Sequence, residues 1–468
     1  MKFRNYEQNQ IQLLPSSLEE LIPINHIVRM IDIIVEQLNL EEMYRSYSEE
    51  GQPGYHPKML LKILLYGYTT GVRSSRKISE KTKSDVYYMY LSGMQRPDFR
   101  TISDFRLMKR KYLASYFVQV LEICKESGLY TLKHISVDGS KIKANASKKK
   151  TKEEDELIKY EEAVKSILKA ADEEDRKEDE IYGKDRGINE LPEGINTKQK
   201  LLEKIKKAQE KLKSEKQKRI NLTDNDARFM KKGDGGIDIC YNVQVAVDSD
   251  NQIITANDVR QDQTDNHLFA NIYEKIKSNT KKEPQEVTAD AGYYSGETYL
   301  YLENNNIDGY IPESRYEKEK EQPLWKYDRR NFSYDKSQDK YICPEGKPLH
   351  YDNRGSRNGV KYRVYKCAEC QNCKSRKECI TRESCKNRQI QIYENDLYKE
   401  RMREKLNTRT GREKIRRRKA IVEPVFAQIK YIMGFNRFLL RGIDNVKTEF
   451  SLMCTAYNIK KLATLCTA

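Results

Sequence analysis

Apolar residues recur every three to four positions through the first 130 residues, a spacing typical of amphipathic helices. It predicts helices at residues 24–38, 57–68, 74–82, 86–91 and 101–126, the last capped by Thr101, Ser103 or Asp104. Exposed basic side chains are expected on the short third and fourth helices and just before them, namely Arg73, Arg76, Lys77 and Lys81. This pattern predicts either a helix pair that docks on DNA or an ordinary bundle with a solvated basic face.

The pattern changes beyond residue 131, where a short apolar run ends at Asp138. Residues 241–248 alternate apolar and polar side chains, and residues 252–259 return after a turn, which predicts a β-hairpin. The following elements are predicted in the order helix 264–277, a strand ending at Asp290, helix 297–304 and strand 309–311. Thr264 or Asp265 is expected to cap the first of these helices. This order indicates an α/β fold with a mixed sheet.

Residues 148–219 interrupt that order with a segment rich in Lys and Glu and poor in aromatics. Its few apolar residues recur at helical spacing, which predicts a solvent-exposed pair of helices joined by a loop at residues 182–187. Charge runs of this type are usually solvated faces, so the segment is expected to be structural or to contact a partner.

The chain is basic, because its 87 Lys and Arg residues outnumber its 71 Asp and Glu residues and give a net charge of +16. A basic chain favours an anionic partner, and nucleic acid is the usual one; a basic protein without such a partner is the alternative. No apolar run approaches the ~20 residues of a membrane helix. The polar start after Met1 also predicts no secretory leader. We therefore expect a cytoplasmic protein with no membrane partner.

Six of the ten cysteines fall between residues 343 and 385, with two consecutive CxxC spacings. In a reducing compartment such spacing favours a tetrahedral zinc site over disulfides. The preferred ligand set is Cys343, Cys370, Cys373 and Cys379, with Cys367 and Cys385 spare or part of another set. An iron–sulfur cluster is disfavoured by the spacing of the fourth cysteine, and unmetallated thiols are the other alternative.

Three acids carry the candidate chemistry. Asp138 and Asp290 each end an apolar run, and Glu423 lies in a basic helical stretch. Arg418 and Lys419 precede Glu423 by about one turn, and Lys430 follows it by two. Each acid alone is also explained by a turn cap or an intrahelical ion pair. Together they could converge on two divalent cations ~4 Å apart, as in phosphodiester exchange.

The contexts of these acids resemble those of DDE insertion-sequence transposases, and most closely the insertion sequence 1182 family within the insertion sequence 4 group. The resemblance rests on 138–140, 289–293, 422–430, 54–57, 66–67, 74–78, 97–106 and the cysteine-rich segment. Lys430 matches a lysine that the group places seven residues after its glutamate. Lys419 stands where the group has an arginine and Arg416 where it has a tyrosine, so the cleavage pathway, through a DNA hairpin or otherwise, is left open.

The resemblance implies an RNase H-like core with a mixed five-stranded sheet and an enzyme, a DDE transposase (polynucleotidyl transferase and endonuclease). Asp138, Asp290 and Glu423 would be catalytic and would bind two Mg²⁺ or Mn²⁺ ions. The expected partners are double-stranded DNA, as terminal inverted repeats and target, and a second copy in an active homodimer. When bound to DNA the protein would lie at the bacterial nucleoid.

This interpretation divides the chain into five parts. They are a helical DNA-binding domain at 1–130, a core formed by 131–147 and 222–325, a charged helical hairpin at 148–221, a zinc-binding insert at 326–395 and a C-terminal core part at 396–468. The expected DNA-facing residues are Arg76, Lys77, Trp325, Arg418, Lys419, Lys430, Arg437 and Arg441. Trp325 could stack on an extruded base, although an anchor of the insert is the favoured role.

Three other functions remain compatible with these residues. A metal-dependent nuclease on the same core would cut DNA without joining it. A catalytically silent protein would keep only the DNA-binding scaffold. A zinc-finger regulator would leave the three acids without a role.

Overall fold

The computed structural model describes residues 17–48, 54–182, 193–233, 235–313, 316, 324–357, 360–382 and 384–466. The polar start of the chain and the predicted loop after residue 182 lie outside these residues. No helix within these ranges is long and apolar enough to span a membrane.

The N-terminal region is helical, as predicted. Its helices are α1 Ile27–Gln37, α2 Glu41–Tyr44, α3 Pro57–Thr69, α4 Ser75–Ser84, α5 Val86–Ser92, α6 Phe99–Met108 and α7 Arg110–Glu126. The single helix predicted at 101–126 is wrong, because the backbone leaves helical geometry at Lys109. The Lys109 ammonium donates to Ser46 Oγ at 2.7 Å and lies over the Tyr47 ring. The predicted caps are also wrong, since Asp98 caps α6 by accepting from the Thr101 N–H.

A six-stranded mixed sheet forms the centre of the molecule. It contains β1 His134–Lys143, β4 Arg228–Lys231, β5 Ile237–Asp248, β6 Ile254–Arg260, β7 Glu286–Ala289 and β8 Gly309–Tyr310. β5 pairs antiparallel with β1, which pairs in parallel with β7, and β8 extends this edge. β4 and β6 pair with successive parts of β5. Helices α10 Phe269–Thr280 and α11 Gly296–Asn304 connect the last strands.

The charged segment forms the predicted pair of helices, α8 Glu154–Tyr182 and α9 Glu193–Ser214. Leu157, Ile205 and Leu212 are buried between them in a small core of their own. Strands β2 Thr151–Glu153 and β3 Arg219–Asn221 pair at the base of this helical hairpin and tie its two ends together. Because the apolar stripe is narrow, most residues at 154–170 and 197–214 are exposed.

The cysteine-rich segment forms a separate five-stranded antiparallel sheet with one short helix. Its elements are β9 Ser333–Asp335, β10 Lys340–Ile342, β11 Pro348–Arg357, β12 Val360–Lys366, α12 Arg376–Cys379 and β13 Gln389–Tyr393. Phe332, Leu349, Tyr365 and Ile390 form its apolar centre. The segment therefore has its own small core beside the main sheet.

The chain ends in three long helices, α13 Asp396–Asn407, α14 Arg409–Ala427 and α15 Ile443–Cys466, with a π-helical turn at Gln428–Ile432. From Thr448 to Ile459 every residue of α15 is buried, polar ones included. The reason is its position between α3 and α7 on one side and β6 on the other. One hydrophobic core consequently joins the N-terminal helices to the sheet.

Candidate active site

Asp138 and Asp290 lie side by side on neighbouring parallel strands. β1 and β7 pair with Val137 opposite Ala289, so the two aspartates that follow stand at the same level of the sheet. Asp138 is not at a strand end as predicted, because β1 continues beyond it along β5. β7 does end just before Asp290, whose carboxylate accepts from the Gly292 N–H at 2.9 Å. The sheet thus brings together two carboxylates that are far apart in the sequence.

Burial and mutual repulsion disfavour the ionised forms of this pair. Burial raises the pKa of Asp138 to about 6, against the opposing effect of Arg418 and with a further rise from Asp290. Burial likewise raises the pKa of Asp290, again against Arg418. Two neighbouring buried carboxylates share too little positive charge to ionise at their ordinary pKa. A further cation bound beside the two carboxylates would therefore stabilise their ionised forms.

Arg418 is aimed at this pair from helix α14. Its Nη1 lies 3.5 Å from Asp138 Oδ2, and the residue is only 8% exposed. That nitrogen finds no hydrogen-bond acceptor within the part of the chain that the structure describes. A buried N–H without a partner is costly, so it usually serves a bound group or water. Arg418 is thus a buried, positively charged wall of the site, and its contact with DNA stays a prediction.

A third aspartate, Asp265, adjoins the pair and was missed as a functional residue. Its Oδ1 accepts from Lys141 Nζ at 3.2 Å, Asn242 Nδ2 at 2.6 Å and Gln244 Nε2 at 2.9 Å. The predicted helix cap at this position is wrong, because α10 begins only at Phe269. Asp265 also raises the pKa of the neighbouring Asp290, an effect smaller than that of burial.

Two glycines allow these acids to approach one another. A Cβ atom on Gly139 would lie 2.5 Å from Gln244 Nε2 and 3.1 Å from Asp265 Oδ1. A Cβ atom on Gly292 would lie 3.0 Å from Asp290 Oδ1. Side chains at these positions would push on the polar groups around the aspartates. The close packing around the aspartates therefore explains why glycine stands at positions 139 and 292.

Glu423 does not join the two aspartates by contact. It is exposed on α14 and makes no hydrogen bond or ion pair with any residue that the structure describes. The helix of Glu423 and the turn after it nevertheless lie alongside β1. Arg418 lies near Asp138, and Lys430 donates to Ser140 Oγ. The structure thus brings two of the three predicted acids together and leaves the third on the adjoining helix.

The other predicted DNA contacts fall into two groups. Lys430 is half-buried, and its desolvation lowers its pKa while Asp138 opposes this change. Arg437 and Arg441 are exposed beside the end of β1, where they donate to the backbone oxygens of Ala144 and Asn145. Exposed cations also occur on other helices, namely Lys419 on α14 and Arg76 and Lys77 on α4.

Arg73 was expected to be exposed, and this prediction is wrong. It is 8% exposed and forms an ion pair with the fully buried Glu449 at 3.1 Å. It also donates to the carbonyl oxygens of Gly434 and Arg437, each at 3.0 Å. Arg73 therefore fixes the loop that follows the Glu423 helix instead of contacting solvent.

Trp325 packs within the cysteine-rich segment. Its ring meets Tyr327 edge-on at 5.7 Å between centroids, and the Arg388 guanidinium lies 5.4 Å from its centroid. The side chain is 43% exposed, so one face remains accessible. These contacts fit the anchoring role, and base stacking by Trp325 stays a prediction.

The cysteines gather without forming the predicted zinc site. A cavity of about 20 Å³ is lined by the four preferred ligands and by Cys367, whereas Cys385 is exposed elsewhere. Burial raises the pKa of the Cys367 thiol to about 12 and also raises that of Cys379. Among the described residues no three His, Cys, Asp or Glu side chains are grouped to hold a metal ion. Structural zinc is therefore not supported.

Two family models match parts of the chain. A "Transposase DDE domain" matches residues 342–463, and a "Transposase domain (DUF772)" matches residues 16–107. Glu423 falls inside the first match, while Asp138 and Asp290 fall between the two. No curated protein and no solved structure matches the chain significantly, and the insertion sequence 1182 family is not confirmed. The curled mixed sheet with its surrounding helices is consistent with these two matches.

Proposed function

We propose that this protein is a DNA transposase that binds the ends of an insertion sequence, cuts the DNA there and joins it to a target. The observation that carries the proposal is the buried pair Asp138 and Asp290, with Arg418 aimed at it. Transposase matches on both sides of this pair support the same function. A net charge of +16 favours DNA as the partner.

The strand arrangement supports an RNase H-like core. β6, β5, β1, β7 and β8 form a mixed sheet in which β5 is antiparallel to β1 and β7 is parallel to it. Five such strands are what the resemblance to DDE transposases implies. The short β4 is a sixth strand that the sequence did not predict, because it follows the charged hairpin as four residues only.

Asp138 and Asp290, with Glu423 from the adjoining helix, are the residues that would hold Mg²⁺ or Mn²⁺. The donor chemistry fits, since these hard cations prefer carboxylate oxygens and the buried aspartates lack compensating charge. When bound, two such ions supply an activated oxygen nucleophile and stabilise the leaving oxygen.

The protein's own side chains would position the DNA around this pair. Arg418 lies beside the carboxylates, where its unpartnered Nη1 could donate to a phosphate oxygen. Lys430 holds Ser140 at the next level of β1 and would place a second cation there. Arg437 and Arg441 continue this row of cations past the end of the strand. The row would align a phosphate backbone along β1.

Cleavage and joining of labelled duplex DNA carrying the ends of the flanking element test this function. With Mg²⁺ we expect wild-type protein to give cut and joined products, and Asp290→Ala to give neither. Cut but unjoined products would select the nuclease instead. Specific binding of the ends without products from either protein would select the silent DNA-binding scaffold.

The raised pKa of Asp138 predicts that activity falls in mild acid. The carboxylate is ionised above about pH 6 and protonated below it, and only the ionised form is a good ligand for a divalent cation. The cleavage rate at limiting Mg²⁺ should therefore fall roughly tenfold per pH unit below about pH 6. Rates measured from pH 5 to 8 check this, with metal-free DNA binding as the control. A flat profile over that range would contradict the assignment of Asp138.

A further inference from the structure

We propose that the groove between the helical hairpin and the core binds the phosphate backbone of duplex DNA. This hairpin groove is an open cavity of about 930 Å³. The lining cations used in the argument are Lys149, Lys150, Lys159, Lys204 and Arg441. The inference rests on the proposed function, because DNA is the partner that the transposase matches favour. It assigns DNA contact to four lysines that the sequence analysis did not name as DNA-facing.

Four lysines of this groove are unpaired within the described part of the chain. Lys149, Lys150, Lys159 and Lys204 are exposed and form no ion pair with any residue in the described ranges. Arg441 donates to the Asn145 carbonyl oxygen. Unpaired cations that share one concave surface repel each other, and a polyanion relieves this repulsion by replacing their counterions.

The acids that line the same groove are already engaged. Glu156 pairs with Lys152 at 3.0 Å. Asp224 accepts from the Tyr241 hydroxyl at 2.8 Å and from a backbone N–H. Asp226 pairs with Lys211 and accepts from the Ile443 N–H. Two of the three acids are therefore paired with lysines and the third is buried and hydrogen-bonded, whereas the four unpaired lysines are exposed.

Other lysines of the same helices provide a contrast. Lys165 pairs with Glu161 at 2.7 Å, Lys169 with Glu173 at 3.9 Å and Lys213 with Glu154 at 3.8 Å. Such exposed pairs contribute little to stability, but they neutralise the surface locally. The four groove lysines instead leave positive charge available for a ligand.

The hairpin groove continues the row of cations that leaves the acidic pair. From Asp138 to the end of β1 is about 17 Å at the usual rise per residue, or roughly five base pairs of duplex. Arg437 stands beside this end, and Arg441 lies in the groove wall. Lysine ammonium groups bind phosphates as point charges, so the contact is expected to be independent of base sequence.

The test compares two variants of the full chain. In the groove variant, Lys149, Lys150, Lys159 and Lys204 are each replaced by Gln. In the control variant, the paired Lys165, Lys169 and Lys213 are replaced by Gln. Fluorescence anisotropy with labelled duplex DNA over a series of NaCl concentrations gives the slope of log affinity against log salt. Circular dichroism verifies that both variants are folded.

For the groove variant we expect a salt slope shallower by about 3.6, at about 0.9 for each of the four lysines, and an affinity about tenfold or more lower at 0.1 M salt. The control variant should keep the wild-type slope.

A groove variant with the wild-type slope overturns the inference, provided that wild-type protein binds and cleaves DNA. A variant that loses affinity only for RNA of equal length also overturns it, since the groove would then be an RNA surface. Wild-type protein without any duplex binding overturns the proposed function itself, which separates the two failures.

Discussion

Replacing Asp138 with Asn is expected to abolish metal-dependent DNA cleavage while leaving the protein folded. The amide keeps the size of the side chain and an oxygen that can accept from the Gly139 N–H, now bonded at 2.8 Å. It removes the negative charge that would hold a divalent cation beside Asp290. Loss of such a ligand removes several kcal/mol of transition-state stabilisation, which corresponds to a rate about a thousandfold lower or more.

Two matched variants make this result specific. Asp250→Asn changes an exposed aspartate in the β5–β6 turn, away from the pair, and should leave cleavage unchanged. Asp265→Asn should have an intermediate effect, because Asp265 accepts from three side chains and acts by positioning. Single-turnover rates at saturating DNA, with binding measured without metal, separate chemistry from affinity. Cleavage within tenfold of wild type in Asp138→Asn would contradict the assignment.

The parts of this site that the sequence predicted depend on local patterns. The apolar runs before Asp138 and Asp290 predict the two strands, and parallel pairing in the sheet then makes the two residues neighbours. The helical stretch around Glu423 likewise predicts a helix there, although Lys430 lies beyond it on the π-helical turn. Element type is a local property, and these predictions of strand and helix agree with the structure.

Asp265 shows why the rest of the site was missed. The alternation in β5 suggested one solvated face, which is typical of a half-buried strand. In the structure Asn242 and Gln244, on that polar face, are 0% and 1% exposed, and both donate to Asp265. A polar strand face can point at solvent or at a buried carboxylate, and only tertiary packing decides between them. The buried amides are the signal that identifies Asp265.

The Arg73 and Glu449 pair depends even more on tertiary structure. The two residues lie 376 positions apart, and the charge pattern around Arg73 is that of an exposed basic helix. Helix α15 carries Glu449 into the shared core, where the N–H groups of Leu439 and Leu440 also donate to it. The local sequence pattern could not have predicted that Arg73, in a basic stretch, forms an ion pair with a buried acid.

Replacing Arg73 with Ala is therefore expected to lower the free energy of unfolding by about 3–5 kcal/mol, because it removes the ion-pair partner of the fully buried Glu449 and leaves only the weaker support of Arg106 among the described cations that act on it. The Gly434 and Arg437 carbonyl oxygens would also lose their donor. Urea unfolding followed by circular dichroism measures this change. Arg45→Ala removes an exposed pair with Glu41, with side chains 76% and 69% accessible, and should change stability by less than about 1 kcal/mol.

A double-mutant cycle with Glu449→Gln identifies the cause of this loss. Gln retains an oxygen that can accept from the Leu439 and Leu440 N–H groups but carries no charge. If the Glu449 charge causes most of the loss, Arg73→Ala should lower the free energy of unfolding much less in the Glu449→Gln background than in wild type. Equal costs in both backgrounds would assign the loss to the carbonyl contacts of the loop. A loss below about 1 kcal/mol for Arg73→Ala in wild type would contradict the role of the pair in joining the N-terminal helices to the loop that follows the Glu423 helix.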